Sequence, residues 1–297
     1  MWLILSFFSS IFLGSYDLLK KWSLRDNAFI PVLFLATLTG AIVFTLFVLC
    51  SHFRVFDASN LFYVPPVPPE QHALFFLKAL IVGISWYLSF MALTYLPITI
   101  VVPIRVTGPF WVLIGSMIIF QERFNSLQWV GIITVLAFFY IFSLAGQKEG
   151  IRFVRNKWIY AIVGATILGA VSGLFDKHLL MHYNRMAVQA WFSIYMVVIM
   201  LPFLLLLWYP RRKELPRFRW RLSIPAIGLV LATADFLYFM ALSDPDSLIG
   251  IVSLVRRSSV VLSFSLGALI FKEGNLRKKA FALAGILVGM VLLITGS

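Results

Sequence analysis

The sequence predicts an all-α integral membrane protein with ten transmembrane helices, arranged as two inverted five-helix repeats. Of its 297 residues, 61% are hydrophobic and only 12% are charged, whereas about a quarter of the residues of a soluble domain are charged. Ten apolar runs are each long enough to cross about 30 Å of hydrocarbon. A block of matching residues also occurs once in each half of the chain. Together these observations exclude a soluble globular domain.

The ten apolar runs define the elements in chain order, and nearly every one lacks the polar face of a soluble core helix. The longest external connection, residues 52–71, contains the stiff, non-helical stretch Pro65–Pro69. We predict that residues 1–146 form the first five-helix repeat, that residues 147–297 form the second, and that both belong to one membrane domain. The predicted helices are 2–19, 30–50, 72–95, 98–120, 128–146, 158–180, 187–209, 222–243, 248–271 and 279–296.

The two halves share a Met-Ala-Leu, arginine and glutamate pattern, and the arginine-to-glutamate spacing is 17 residues in both copies. Five crossings per half would place the second copy in the opposite orientation, which is the arrangement of inverted-repeat carriers. A chance match between two apolar sequences is the alternative. The matching positions are Met91–Leu93, Arg105 and Glu122 in the first half, and Met240–Leu242, Arg256 and Glu273 in the second.

Arg105, Arg256 and Arg257 lie inside apolar segments. An arginine near the bilayer centre costs about 2.5–3.5 kcal/mol, so the three together cost roughly 8–10 kcal/mol. Arg105 also lies between Pro103 and Pro109, which is tolerated where neighbours or a water-filled cavity satisfy the freed carbonyls. Arginine stays charged, and its planar fork matches carboxylate or phosphate. We therefore predict an anion-binding site at the repeat interface.

Purely structural ion pairs are the alternative explanation for these arginines. Asp235, Asp17 and Asp176 lie in apolar segments and could balance them. Asp235 could instead be a protonatable coupling residue, although charge balancing is the preferred interpretation. The predicted substrate-binding residues are Arg105, Arg256, Arg257, Asp235, Trp86, Tyr87, Ser259 and Ser263. Aromatic residues are so abundant that packing is the alternative role for Trp86 and Tyr87.

We expect no catalytic residue, metal or cofactor. His178 and His182 have a permissible metal-ligand spacing, but a lone pair of histidines is weak support for a metal site, and the single cysteine, Cys50, excludes a disulfide framework. The net charge of +13 arises in short loops, which favours contact with anionic lipid headgroups over nucleic acid. Gly285 and Gly289 form a GxxxG pattern, which fits packing inside the bundle or a dimer seam. We expect a monomer or a homodimer.

The ten segments, the five-plus-five duplication and the paired blocks 91–146 and 240–297 resemble the EamA-type drug/metabolite transporter superfamily, which includes sugar-phosphate and nucleotide-sugar carriers. The doublet Arg256–Arg257 resembles the basic pair that sugar-phosphate carriers have in their ninth segment. The resemblance implies a central substrate pocket lined by segments 1, 3, 4, 6, 8 and 9. It also implies cytoplasmic termini in many bacterial members, and the charge distribution of this chain predicts the reverse.

The expected function is that of a secondary transporter in the plasma membrane, specifically a bacterial inner membrane. It would move a small phosphorylated or carboxylate metabolite between two inverted halves by alternating access. An exporter of amino acids or drug-like amphiphiles, and a flippase for an anionic lipid-linked headgroup, are the alternatives. An enzyme is not expected, because the chain lacks convergent acid, base, nucleophile and metal groups.

The positions of lysine and arginine predict that both termini lie outside the cytoplasm. Seventeen of these residues fall in the first, fifth, seventh and ninth loops, whereas Arg54, Arg123 and Arg185 alone fall in the opposite loops, and positive loops face the cytoplasm. We expect a C-terminal reporter that is active only outside the cytoplasm to give a signal. A reporter that is active only inside should stay silent, and the reverse pattern would contradict the charge rule for this chain.

Overall fold

The computed structural model describes residues 1–96, 101, 104–105, 107–144, 156–259 and 276–296. Ten α-helices lie within these residues, and no strand is present in this part of the chain. A short π-helical segment, Phe203–Trp208, directly follows the helix Arg185–Pro202. The helices are α1 (Trp2–Leu24), α2 (Phe29–His52), α3 (Pro69–Tyr95), α4 (Gly108–Ile119), α5 (Ser126–Leu144), α6 (Lys157–His182), α7 (Arg185–Pro202), α8 (Ser223–Leu242), α9 (Ile249–Arg257) and α10 (Leu276–Thr295).

Six helical stretches are long and apolar enough to cross a membrane. Shorter apolar helices account for 108–119, 126–141 and 281–295 of the described residues. The all-helical class and the multi-pass membrane character are therefore confirmed, whereas the count of ten crossings stays a prediction. The six stretches are Trp2–Leu24, Phe29–His52, Pro69–Ala92, Lys157–His182, Arg185–Trp208 and Ser223–Leu242.

Within the fourth predicted segment, Thr107 lies in a turn that directly precedes a regular helix. Regular helix α4 begins at Gly108 and holds Pro109 in its first turn. Proline is tolerated there because the first N–H groups of a helix have no intrahelical acceptor. The structure describes chiefly the second half of predicted segment four. It describes the first half of predicted segment nine, which contains α9. Glu273 and the predicted boundary at 146/147 lie outside the described residues.

The helix contacts follow a two-fold pattern that exchanges each helix with the one five places along the chain. The contact of α1 with α8 has its counterpart in the contact of α6 with α3. The contact of α2 with α8 has its counterpart in the contact of α7 with α3. The contact of α4 with α6 is matched by that of α9 with α1. Three further contacts join a helix to its own equivalent in the other repeat: α2 with α7, α4 with α9, and α5 with α10. This pattern is what a duplicated five-helix unit produces.

Contacts between the helix links define the two ends of the bundle. Asn27, in the α1–α2 link, donates to the carbonyl of Arg219, in the α7–α8 link, at 2.7 Å. We call this end the basic face. At the other end, the opposite face, Asn125 in the α4–α5 link donates to the Gly296 carbonyl at 2.6 Å. Glu122 of the same link contacts the start of α9. Helix α1 therefore ends at the basic face and α6 at the opposite face, so equivalent helices run in opposite directions.

A glycine seam joins α5 to α10. A Cβ at Gly131 would lie 2.9 Å from the Gly289 carbonyl oxygen, and a Cβ at Gly289 would lie 3.0 Å from the Gly131 carbonyl oxygen. Gly285 faces the Phe138 ring so closely that a methyl group would collide with it. Small residues permit this close approach of two backbones within the membrane. The GxxxG pattern thus packs α10 inside the bundle.

We expect Gly289→Ala to lower the apparent melting temperature, because the new methyl group would meet backbone and force the two helices apart. Overpacking of this kind costs typically about 1–3 kcal/mol. Gly164→Ala is the matched control, since its Cβ would have Leu88 at 3.9 Å as its nearest neighbour. Thermal unfolding of both variants in detergent measures the difference. Equal melting temperatures would mean that the seam does not constrain the fold.

Candidate functional site

A central cavity of about 700 Å³ opens between the two repeats. Its wall comes from α1 to α4 and α6 to α9, whereas no described residue of α5 or α10 contributes to it. The family resemblance implied six of these segments, and the structure adds α2 and α7. On α1 and α2 the lining residues fall in the halves that adjoin the basic face. They are Leu13, Tyr16, Asp17, Lys20 and Leu24 on α1, and Phe29, Leu33, Ala36, Thr37 and Gly40 on α2.

The described wall of the cavity carries more positive than negative charge. Five cationic side chains and three carboxylates line it, so five minus three leaves a formal excess of two positive charges. Lys20 lies on the wall near the Tyr16 ring, 5.3 Å from its centroid. The charged residues are Lys20, Lys78, Arg105, Arg256 and Arg257, with Asp17, Asp176 and Asp235.

Lys78 of α3 and Asp176 of α6 form an ion pair across the two repeats. The Nζ–Oδ1 distance is 2.7 Å, and the side chains are only 3% and 6% exposed. Lys78 also donates to the carbonyl of Ser172 at 3.2 Å and to its hydroxyl at 2.5 Å. A pair buried this deeply pays a large desolvation cost, which only good geometry and additional hydrogen bonds can offset.

A second ion pair, between Arg256 of α9 and Asp235 of α8, lies beside the first. Its side chains are 19% and 21% exposed. The Arg256 guanidinium lies over the ring of Tyr238, 4.0 Å from the centroid, which is a cation–π contact. The Tyr238 hydroxyl in turn donates to Asp176 at 3.4 Å. Tyr238 therefore links both ion pairs into one buried network that spans α3, α6, α8 and α9.

Arg105 and Arg257 lie together in another part of the wall. The Arg257 Nη2 atom donates to the backbone carbonyl of Arg105 at 3.1 Å. The same atom would lie 3.1 Å from a Cβ at Gly108, so the absence of a side chain there makes room for the guanidinium. Asp17, which carries the opposite charge, lines the same cavity. This region combines two guanidinium groups with one carboxylate.

Of the four remaining predicted residues, two line the cavity, one does not, and one lies outside the described residues. Trp86 and Ser259 line the cavity. Tyr87 is not in its wall: it stacks on Phe203 at a centroid distance of 5.4 Å, because the adjacent position on a helix points about 100° away. Trp111 is also absent from the wall and donates to the Thr107 hydroxyl at 3.2 Å. Ser263 lies outside the described residues.

Sequence reasoning missed Lys78 and Lys177. Both are basic residues inside predicted apolar segments, so the signal that singled out Arg105 applied to them equally. Lys177 is buried on α6 and donates to the Ser247 hydroxyl at 2.7 Å and to the Ser247 carbonyl at 2.9 Å. It thereby holds the α8–α9 link against α6.

Glu122 caps the start of α9. It accepts hydrogen bonds from the backbone N–H of Ile249 at 2.6 Å and of Gly250 at 3.1 Å. Gln121, with φ of 54°, turns the chain after α4 so that Glu122 reaches across to the second repeat. Burial raises the pKa of Glu122, and the two N–H bonds oppose that shift.

No group of three or more His, Cys, Asp or Glu residues that could hold a metal occurs in the described part of the chain. His182 Nδ1 contacts the backbone carbonyl of His178 at 2.8 Å, which is a local helix contact. The site thus offers charge, aromatic surface and hydroxyl groups around a central space. Such a cavity suits binding and release of a solute.

Two oppositely directed helical repeats around a charged central cavity are an arrangement found in many membrane transporters. The chain belongs to the EamA-like transporter family, whose model matches residues 1–144 and again residues 156–295. It is therefore a transporter of the drug/metabolite type. The match gives no support to the more specific likeness to sugar-phosphate carriers.

A solved structure, described only as a crystal structure of a protein, has the same fold. It superposes with a TM-score of 0.77 at 15% sequence identity, over 99% of this chain and 98% of that one. No curated relative matches the sequence.

Breaking the Lys78–Asp176 pair should destabilise the protein more than replacing it. Lys78→Met leaves a buried carboxylate without its cation, which costs about 3–5 kcal/mol. The double variant Lys78→Met/Asp176→Leu should recover most of that loss, because removing both charges also removes the desolvation cost. Apparent melting temperatures in detergent measure the comparison. A double variant no more stable than the single one would show that the two charges are not coupled.

Proposed function

We propose that this protein is a secondary transporter that moves a small anionic metabolite, phosphorylated or carboxylate, by alternating access. The observation that carries the proposal is the formal excess of two positive charges on the described cavity wall. Inside a low-dielectric bundle such an excess attracts an anion more strongly than it would in water. A bound anion would also offset the repulsion between the neighbouring guanidinium groups of Arg105 and Arg257.

Arg105 and Arg257 are the best candidates for the anion contact. Arg256 is already paired with Asp235, so its charge is balanced within the protein. Arg257 donates from Nη2 to a neutral carbonyl, which leaves its charge to be offset by other groups. A guanidinium fork binds carboxylate or phosphate through two parallel hydrogen bonds. We therefore assign the two arginines to the substrate and the Arg256–Asp235 pair to the wall.

Alternating access is supported by the two-fold pattern of helix contacts and by the position of the cavity. The lining residues of α1 and α2 adjoin the basic face, whereas the opposite end holds the buried contacts of Glu122 and Lys177. Exchanging the roles of the two repeats would open the other end. Rocking of inverted repeats about a central site is the usual means of alternating access.

An exporter of amino acids is the second candidate, and the carboxylates of the wall favour it. Asp17 acts on the Arg257 charge, so one region of the cavity presents both an acid and two guanidinium groups. A zwitterion could use both signs. Binding of amino acids compared with binding of dicarboxylates separates this candidate from a simple anion, because recognition of a zwitterion requires its amine.

The membrane setting completes the proposal. We infer ten crossings divided at 146/147, with both termini outside the cytoplasm and the basic face inside. The plasma membrane, specifically a bacterial inner membrane, and a monomer or homodimer fit this arrangement. The many lysines and arginines of the basic face would meet anionic headgroups there.

The test is binding and transport with a panel of phosphate esters, dicarboxylates, amino acids and neutral amphiphiles. For an anion that the parent protein binds, Arg257→Ala and Arg105→Ala should weaken affinity about 10- to 100-fold, since a hydrogen bond to a charged group contributes about 1.5–3 kcal/mol. Arg257→Lys should restore part of it, because the charge returns without the fork. Transport in proteoliposomes should fall with affinity.

Arg211→Ala is the matched control, since Arg211 is an exposed arginine of the α7–α8 link. Binding of a neutral amphiphile is the second control and should survive all these changes. If the variants fold and still transport an anion at the parent rate, the arginines are structural and the anion proposal is wrong.

A further inference from the structure

We propose that Glu122 and Lys177 form the gate that seals the central cavity from the opposite face, and that their contacts with the start of α9 and the α8–α9 link open during transport. This inference rests on the alternating-access part of the proposed function and not on the identity of the substrate. It assigns a conformational role to two buried charges that do not line the cavity.

The contact of Glu122 joins the two repeats directly. Glu122 belongs to the α4–α5 link of the first repeat, and both of its backbone partners, Ile249 and Gly250, belong to α9 of the second. The N-terminus of a helix carries a partial positive charge that favours a carboxylate. Glu122 is only 8% exposed, so separation from α9 would leave a buried charge with fewer partners. The gate therefore closes firmly and opens only when α9 moves.

Lys177 secures the same connection from another side. Its Nζ atom donates to the hydroxyl and carbonyl of Ser247 at 2.7 and 2.9 Å. Longer contacts reach the carbonyls of Asp244 at 3.4 Å and Leu242 at 3.5 Å. Lys177 and Glu122 also attract each other electrostatically. One ammonium group and one carboxylate thus fix the chain on both sides of residue 248.

The fit at Gly250 shows how closely the two repeats approach here. A Cβ at this position would lie 2.9 Å from the Phe124 ring and 3.2 Å from the Ser116 hydroxyl. Any side chain would therefore push α9 away from the α4–α5 link without changing a charge. Gly250→Ala is for this reason an independent way to loosen the same contact.

The gate is well placed to govern access. Ile249 and Ser253 of α9 line the cavity, and Arg256 and Arg257 lie in the last turn of the same nine-residue helix. Movement of the α9 start would therefore open the end of the cavity and shift two charged wall residues together. Repeats that rock against each other around a fixed site require a contact of this kind at each face.

The test measures which side of the membrane reaches the cavity. The single cysteine of the chain, Cys50, is replaced by serine, and Ser193→Cys on α7 introduces one thiol into the cavity wall. Membrane-impermeant maleimide is then applied separately to each side of oriented vesicles. The thiol should react predominantly from the basic face. Because α7 does not carry the gate, the reporter follows access to the cavity and not unwinding of α9.

Glu122→Gln and Lys177→Met should each raise the labelling rate from the opposite face by about tenfold or more, the change expected on losing a hydrogen bond to a charged group. Gly250→Ala should raise the same rate because its methyl group would collide with the Phe124 ring. Glu122→Gln keeps one acceptor oxygen, so it is the mildest variant; Glu122→Asp, which keeps the charge but shortens the reach, replaces it if folding fails. The matched controls are Glu214→Gln, an exposed glutamate, and Gly164→Ala.

Labelling that stays confined to the basic face in folded gate variants would overturn the proposal, as would an equal rise in the controls, which would indicate general loosening. Binding of the panel anions, measured on the same variants, keeps this inference separate from the proposed function. Failure of the anion proposal would appear as a lack of anion binding by the parent protein with the labelling pattern intact. Failure of the gate would appear in the labelling alone.

Discussion

A charge inside an apolar bundle is costly unless it is paired, and a connected set of side chains in the described part of this protein pairs four of the charges on the cavity wall. Lys78, Asp176, Tyr238, Arg256 and Asp235 form a continuous path of ion pairs, a hydroxyl bond and a cation–π contact. The path ties α3 of the first repeat to three helices of the second. Because each charged member of the path has a partner on another helix, electrostatics adds to packing in holding the relative positions of these helices around the cavity.

This network divides the cationic residues of the cavity between two tasks. Lys78 and Arg256 have carboxylate partners and support the wall. Arg105 and Arg257 are held together by a bond to a backbone carbonyl, which fixes geometry without cancelling charge. We propose that a carrier of this kind uses both: the ion pairs stabilise the fold around the empty cavity, and the surplus positive charge attracts an anionic solute. The ion pair with Asp235 fits the structural interpretation of Arg256, while the anion proposal concerns Arg105 and Arg257.

The sequence predicted the helical class, the duplication and the cationic cavity, because these follow from apolar run length and from the cost of charge in lipid. It could not predict which way each residue faces. A helix apolar on all sides lacks the polar stripe that would orient it, so Trp86 and Tyr87 looked equivalent although only Trp86 lines the cavity. The sequence also could not predict which residues distant in sequence pair with each other. Lys78 and Asp176 meet only because α3 packs on α6. The capping role of Glu122 required the positions of two links in space.

The excess charge of the wall also has an electrical consequence. Charges that move through the membrane potential exchange about 2.3 kcal/mol per elementary charge per 100 mV. In an alternating-access cycle an empty cavity with two surplus positive charges would feel that field as it reorients, whereas a cavity filled by a divalent anion would be close to neutral. The membrane voltage would then act mainly on the return of the unloaded protein, and solute exchange would be less sensitive to it than net uptake or efflux.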